Sequence, residues 1–520
     1  MASTLPELRM APDEVESRFE QLQRKLVPMW EMIGRTDPGG PIEAENTIVV
    51  VPSLTVDVPL ASSAQQAYEE RFLFMLFTLR QPLIRLIYVT SQAIQPSIVD
   101  YYLHILPGVD IGNARRRLSL VTPLDGSSRP LTEKLLERPR LIRHIRSLIP
   151  DLERAHIVPY NTTDLERELA IRLGLPMYAA DPRFFAFGTK SGSRRIFAEE
   201  GVPHALGFEN LFSAGAIVEA IARMRARRPA MRKAIVKLNE GVSGMGNAIV
   251  DLDELPPPGE ASEGAALGER LRALHFDVEG TQYDSYVAKI VRRGAIVEEL
   301  IAGQELQSPS AQLRVSPLGE VELLSTHDQM LGGPSGQSYL GARFPANPAY
   351  APLIMCEAAK IGRRFAREGI VGRFALDFVV VRSEAGEWEP YAIEVNLRKG
   401  GTTHPFLTLQ YLTDGRYEAE TGIFRTARGH EKCYVASDHL ESPLYRAFTP
   451  DALFDVVSRH RLHFDHTGQS GVVLHMVSGV GDFGRLGLTA IADTPGEADA
   501  LYERFVGVLD EEARLALSAE

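Results

Sequence analysis

Short apolar blocks alternate with longer amphipathic segments through the first third of the chain. "NTIVVVPSL", "PLIRLIYVTS", "RRLSLVTPL" and "RAHIVPYN" each hold a continuous apolar run, the pattern of strands buried on both faces of a parallel sheet. Between them, an amphipathic stretch through Phe77, "PSIVDYYLHIL", "TEKLLERPRLIRHIRSLI" and "TDLERELAIRLG" carry the longer period of crossover helices. A Rossmann-like βαβ scaffold is predicted for residues 1–181. No G-x-G-x-x-G follows any of its strands, so this part is not assigned a dinucleotide.

The pattern changes at "FGTKSGSRRIFAEEGVPHALG", where Ser191 or Ser193 is expected to start a helix that Gly201 ends and Pro203 keeps from resuming. "KAIVKLNEGVSGMGNAIVDL" reads as strand, glycine loop, strand. The proline-rich "ELPPPGEASEGAALG" reads as an insertion or mobile connection, and "GAIVEELI" as a further strand. A helix near 351–368 should stop at Gly369, followed by strands at 374–381 and 390–396. From about residue 429, "GVVLHMVS", "RLGLTAIA" and the helical "GEADALYERFVGVLDEEARLAL" predict a small α+β cap. The expected fold class is therefore α/β and α+β multidomain, divided as 1–181, 182–428 and 429–520.

Composition narrows the function. With 520 residues and 44% hydrophobic content the chain can bury several cores. A net charge of −12 argues against sequence-independent binding of nucleic acid or anionic membrane, which needs Lys and Arg on phosphate. Cys356 and Cys433 lack metal-ligand spacing. The N-terminus carries acids early without a signal-peptide apolar core, so a cytoplasmic protein with small-molecule partners is expected.

The chemistry concentrates in "RFALDFVVV" and "AIEVNLRKGGTTHP". Folded as a hairpin whose turn centres on Ala385 and Gly386, these strands set Asp377 opposite Glu394. Strand alternation predicts Ala392, Glu394 and Asn396 on one face. Facing carboxylates repel unless a cation lies between them. Asp377, Glu394 and Asn396 would suit Mg²⁺ (or Mn²⁺), which prefers oxygen donors; the alternative is an exposed hairpin with solvated acids. "EGVSGMGNA" adds a glycine turn whose amides can approach phosphate without a Cβ in the way. It is not a Walker A loop, since Lys237 precedes the glycines on the strand.

Together these segments resemble the ATP-grasp ligases, in which two α+β subdomains close on ATP. The likeness rests on Lys190 ahead of "EEGVP", on "IVKLNEGVSGMGNAIV", on "VEELIAGQE", and on Asp377 with "IEVNLR". It implies that Lys190 and Lys237 contact ATP phosphates, with Gly241, Gly244 and Gly246 as the phosphate flap. It further implies that Glu298, Glu299, Leu300 and Ile301 form the hinge that reads adenine through the main chain, and that Glu305 binds the ribose. Asp377, Glu394 and Asn396 match the family's Mg²⁺ ligands. "STHDQMLGGPSGQSYLGARFPA", "NLRKGGTTHP" and "LHFDHTGQSGVVLHMVSG" are similar to the peptide ligases related to that of pheganomycin biosynthesis. The implied reaction couples a carboxylate to an amine through an acyl phosphate, releasing ADP and phosphate, with peptides as plausible partners. A homodimer is compatible with this reading.

Arg398 then serves phosphoryl transfer with Lys237, or holds the substrate carboxylate. Lys399, Gly400, Gly401, Thr402 and His404 form a small-residue turn toward the substrate. Rival readings are an ATP-grasp phosphotransferase and a regulatory protein that binds nucleotide without turnover; the second should have lost a metal ligand or phosphate lysine, and none is missing. His327 with Asp328 reads as structural. His460, His463 and His466 fall on different faces and do not suit zinc. Arg115 to Arg117 read as a solvated turn.

Overall fold

The computed structural model describes residues 11–33, 45–55, 62–106, 108–241, 246–276, 280–332 and 338–518. Its N-terminal part is a parallel sheet in the order Leu118–Val121, Ile84–Val89, Asn46–Val51, Ala155–Pro159. All residues of Asn46–Val51 are buried, as expected for an interior strand covered by helices on both faces. The expected helix through Phe77 becomes two elements, helix Ser62–Glu70 and a 3₁₀ stretch Arg71–Arg80. Phe72 to Phe77 is apolar all round and packs on every side, against helices Pro96–Ile105 and Thr403–Thr413 among others.

The glycine loop belongs to an antiparallel sheet ordered Gly207–Leu211, Ala295–Glu299, Lys233–Leu238, Asn247–Asp251, His275–Phe276. "ELPPPGEASEGAALG" is not a free connection: helix Glu263–Arg272 begins within it. Glu263 is buried against Arg225 and accepts the Gly259 amide at 2.7 Å, which fixes the segment despite its polar composition.

A third sheet of nine strands among the described residues carries the acid hairpin. Gly372–Arg382 pairs with Trp388–Asn396 on one side and with Pro309–Val315 on the other. Helix Ala351–Glu368 packs behind it, with Ile354, Met355, Ala358, Ile361 and Phe365 forming its buried stripe and Gly369 at φ 76° as the left-handed cap. The C-terminal strands do not form a separate sheet. Ser338–Phe344 pairs with Cys433–Glu441, and the ladder continues through Arg485–Ala492 to Gly471–His475. The polypeptide thus crosses residue 428 without a break in its hydrogen-bonded framework.

Candidate active site

Two strands and one helix start position the oxygen cluster. The hairpin ladder pairs Arg382 with Trp388 near its turn and Asp377 with Glu394 further on, with a register shift between Asp377 and Phe378. Asp377 thus does face Glu394, through a bulge at Ile393 that skips one residue. The bulge also corrects the expected face: Ala392 lies in the core with Val395, while Glu394 and Asn396 remain on the open side.

Thr189, not Ser191 or Ser193, caps helix Lys190–Glu199 by accepting the Gly192 amide. The serines are committed elsewhere: Ser191 Oγ donates to Asn239 Oδ1 at 2.6 Å, and Ser193 Oγ accepts the Val395 amide at 3.0 Å. Asn239 Oδ1 also accepts the Ser191 amide, and its carbonyl accepts that of Lys190, so the flap strand and the helix start are locked together. Lys190, in the first turn, donates to Glu394 Oε2 at 2.7 Å across 204 residues of sequence.

Around this pair the charges alternate. Asn396 Nδ2 and Gln329 Nε2 donate to the two oxygens of Asp377, each at 2.8 Å. Arg398 donates to Asn396 Oδ1 at 2.5 Å. Burial, then the neighbouring Glu394, pushes the Asp377 carboxyl well above its usual range. Burial acts on Glu394 in the same sense, but Lys190, Lys237 and Arg398 outweigh it and hold that carboxyl down. Two acids and an amide oxygen thus converge where a positive charge is favoured, a donor set suited to a hard divalent cation.

Lys237 reaches the same locality but is ion-paired with Glu298. Glu298 is 3% exposed and also takes Arg194 at 3.0 Å; although burial opposes ionisation, the two cations hold its carboxyl low. The side chain of the first expected hinge residue is thus committed to two cations. Glu298 lies in an interior strand, paired with Gly207 on one side and Ile235 on the other. The Glu299 and Leu300 amides donate to the carbonyls of Leu206 and Lys233. Those two amides serve the sheet, whose strand ends at Glu299. Glu305 is exposed and pairs with Arg382 at 3.1 Å.

Gly241 lines a cleft of about 200 Å³ with Asn161, Thr163, Asn239, Arg293 and Arg398, between the N-terminal sheet and the oxygen cluster. Gly246, at φ 101°, holds a backbone conformation that favours glycine, and a Cβ there would press on the Leu238 side chain at 3.1 Å. Gly244 lies outside the described residues.

The turn after Asn396 differs from expectation. Lys399 is buried and donates to the Pro159 carbonyl at 2.7 Å, and Thr402 Oγ1 takes Gln312 Nε2 at 2.5 Å. Gly400 donates its amide to Thr403 Oγ1, and a Cβ on Gly401 would strike the Tyr339 ring at 2.7 Å. His404 is not in a loop: it lies in the first turn of helix Thr403–Thr413, 4% exposed, beside His475 and Asp438. Of the expected turn toward substrate, Arg398 alone joins the oxygen cluster through a side-chain hydrogen bond among the described residues, because the other polar side chains are bound to neighbouring elements.

The remaining histidines sort as structural. His327 bonds Tyr434 at 2.8 Å, and burial holds its imidazole down to about 3. Asp328 accepts from Tyr350 at 2.8 Å on the other face. His460 pairs with Glu512 at 2.7 Å, away from any zinc role. Arg117 is no solvated turn residue: it donates to the carbonyls of Leu79, Gln81 and Ile84. Sequence reasoning missed Gln329, Arg194, Asn239 and Tyr160. Tyr160 lies against both Arg71 and Arg398; burial would raise its phenol, but the two guanidiniums bring it down. Arg194 lies in a polar helix, Asn239 and Tyr160 just past strand ends, and Gln329 after a polar run, so no local pattern marked them.

Residues 184–266 and 263–420 match the family model described as IQCH-like, ATP-grasp, and residues 452–505 match the PGM1 C-terminal domain. An L-propargylglycine–L-glutamate ligase from Streptantibioticus cattleyicolor is 33% identical over 442 residues, covering 84% of this chain and 87% of that protein. The chain belongs to the ATP-grasp ligases. The IQ motif-containing protein H of Danio rerio is 24% identical over 399 residues, 68% of this chain; the match spans only 38% of that longer protein. Among solved structures, an ADP complex of N5-carboxyaminoimidazole ribonucleotide synthetase aligns over 91% of this chain and 99% of its own, with TM-score 0.51 and 12% identity. The biotin carboxylase domain of a Hydrogenobacter thermophilus 2-oxoglutarate carboxylase aligns over 87% of each chain, with TM-score 0.51 and 13% identity. These likenesses bear out the mixed α/β and α+β architecture of this ATP-grasp chain.

Proposed function

We propose that this protein joins a carboxylate to an amine at the expense of ATP, with an amino acid or short peptide on each side of the new bond. The observation that carries this reading is the convergence of Lys190, Lys237, Asp377, Glu394, Asn396 and Arg398, drawn from four separate segments, onto one polar locality. The L-propargylglycine–L-glutamate ligase supports amino acids as the substrate class. In this reading residues 1–181 help hold the acceptor, 182–428 bind nucleotide, and 429–520 complete the substrate side. Reliance on ATP, and the absence among the described residues of a helix long and apolar enough to cross a membrane, favour action in the cytoplasm.

A carboxylate is a poor electrophile because its leaving group would be oxide, and transfer of the γ-phosphoryl group replaces that oxide with phosphate. Asp377, Glu394 and Asn396 would hold Mg²⁺, which when bound offsets charge on the phosphate oxygens. Lys190 and Lys237 would exchange their present carboxylate partners for phosphate. Arg398, hydrogen-bonded to Asn396 and beside Tyr160, orients the acid next to the cleft. Its fixed donors then face the oxygen on which charge develops as the amine attacks.

The test supplies amino acids and dipeptides pairwise with ATP and Mg²⁺, reading mass gain and nucleotide products. A coupled product with one ADP per bond is expected. Formation of AMP and pyrophosphate, or ADP release with no coupled product across the panel, would overturn the reading.

A further inference from the structure

Below the turn that follows the oxygen cluster, three buried side chains from distant segments meet. His404 opens helix Thr403–Thr413, Asp438 lies within strand Cys433–Glu441, and His475 ends strand Gly471–His475. Each is no more than 4% exposed. His404 Nε2 and His475 Nε2 are 3.0 Å apart, and each also touches Asp438 Oδ1, at 3.0 Å and 2.7 Å. Three atoms that carry lone pairs therefore form a closed triangle.

Protons do not satisfy that triangle. An imidazole nitrogen either bears a hydrogen or offers one lone pair, never both. If His404 and His475 both donate to Asp438, their two N–H groups confront each other. If one donates to the other, the acceptor nitrogen meets a carboxylate oxygen lone pair to lone pair. The carboxylate has no proton to lend: its second oxygen is ion-paired with the buried Arg71 at 2.9 Å, which favours the ionised form. Every arrangement of protons leaves one close contact repulsive in a buried place. One cation bound by all three lone pairs removes the conflict.

We propose that His404, Asp438 and His475 bind a divalent transition metal, with zinc the best match. Two imidazoles and a carboxylate select a borderline metal over Mg²⁺ and leave a fourth tetrahedral position open. Bonds of about 2.0–2.1 Å set tetrahedral ligands roughly 3.3 Å apart. The observed 2.7–3.0 Å requires an opening of a few tenths of an ångström. The surroundings are those of ligands held for a metal. Arg71 binds the outer carboxylate oxygen, and Arg485 Nε donates to the Asp438 carbonyl at 2.8 Å. Gly487 makes room for the imidazole, since a Cβ there would lie 2.1 Å from His475 Nε2. The ligands come from both sides of residue 428, and Arg71 from the N-terminal part, so the ion fastens the three regions beside the active site. It is separate from the Asp377 and Glu394 cluster, with which it shares no ligand.

The experiment uses the full chain, stripped with a chelator, reloaded with Zn²⁺ in excess Mg²⁺ and dialysed. Elemental analysis should find about one zinc per chain, and the melting temperature should rise on reloading. Co²⁺ in place of zinc should give the intense visible bands of a tetrahedral nitrogen and oxygen site. His475→Gln and His404→Gln should each lose the zinc and the bands, whereas Asp377→Asn and His460→Ala should keep both. If the glutamine variants misfold, the Co²⁺ spectrum of the unsubstituted chain decides alone. Absence of retained metal and of tetrahedral bands, or retention unchanged in folded His404 and His475 variants, would overturn the proposal.

Discussion

Lys190 and Glu394 show how one contact joins an expected pair of roles. Their ion pair, with Lys237 on Glu298, gives both lysines a carboxylate partner. Glu394→Gln and Asp377→Asn each remove charge from the cation position, and turnover should fall by roughly a hundredfold or more in each. Little change in melting temperature should accompany that fall, and near-normal turnover in either would sink the metal assignment. Lys399 makes a different prediction. Burial first, and Arg373 second, bring its ammonium down from the ordinary 10.5 to about 7. Between those values the unfolded chain binds more protons than the folded one, so this lysine's penalty is full below pH 7 and fades as pH rises toward 10.5. Lys399→Met removes the penalty. Its stability relative to the unsubstituted chain should therefore be most favourable near pH 6 and decline by pH 9, read by denaturant titration. The two acids of the hairpin were legible because each is a carboxylate within an otherwise apolar run, Asp377 four residues from Arg373 and Glu394 two from Asn396. The fate of Lys399 was not, because its partner is a main-chain carbonyl of another region.

Hairpin 372–396 separates what composition reveals from what it hides. Its strands and turn were readable from alternation and from "SEAGE", and the facing of Asp377 and Glu394 follows. The bulge at Ile393 was not readable, since a skipped residue is decided by how the partner strand twists under its neighbours. Similarly, three hydroxyl residues competed to cap helix Lys190–Glu199, and tertiary bonds to Asn239 and Val395 left the task to Thr189. The bulge bears directly on function. Without it, the ladder that pairs Arg382 with Trp388 would bring Ile393 against Asp377 and turn Glu394 out of position. Inserting an alanine after Ile393 should therefore abolish turnover, because it moves Glu394 one place beyond Asp377 and onto the other face, whereas replacing Ser383 to Glu387 with a shorter turn should cost no more than about threefold, because the paired ladder holds the register. Equal loss in both variants would show that the bulge is not what aims the acids.

Along the full chain, the order of elements was legible and their final partnership was not. Alternating strands and helices identified the parallel sheet, but nothing local tells a strand which of several open edges it will join. The C-terminal strands chose the edge at Ser338–Phe344. They share one core with the other two regions: Phe74, Phe77 and Tyr102 from the N-terminal part, Phe344 and Phe406 from the middle, Tyr434, Leu474 and Phe505 from the end. Phe344 stacks on Tyr434 with ring centroids 4.8 Å apart, and Arg71 reaches Asp438 across 367 residues. Cutting at residue 428 would therefore strip partners from two regions at once and leave an unpaired, largely apolar strand edge, a template for association. The fragment 1–428 should aggregate on expression and recover solubility only when 429–520 is co-expressed. In the intact chain, hydrogen exchange under mild denaturant should release Ile84–Val89 and Arg485–Ala492 at the same free energy, since neither sheet keeps its covering without the other. A monomeric 1–428 with its own sharp unfolding transition would mean that the shared core is an assembly of independent folding units.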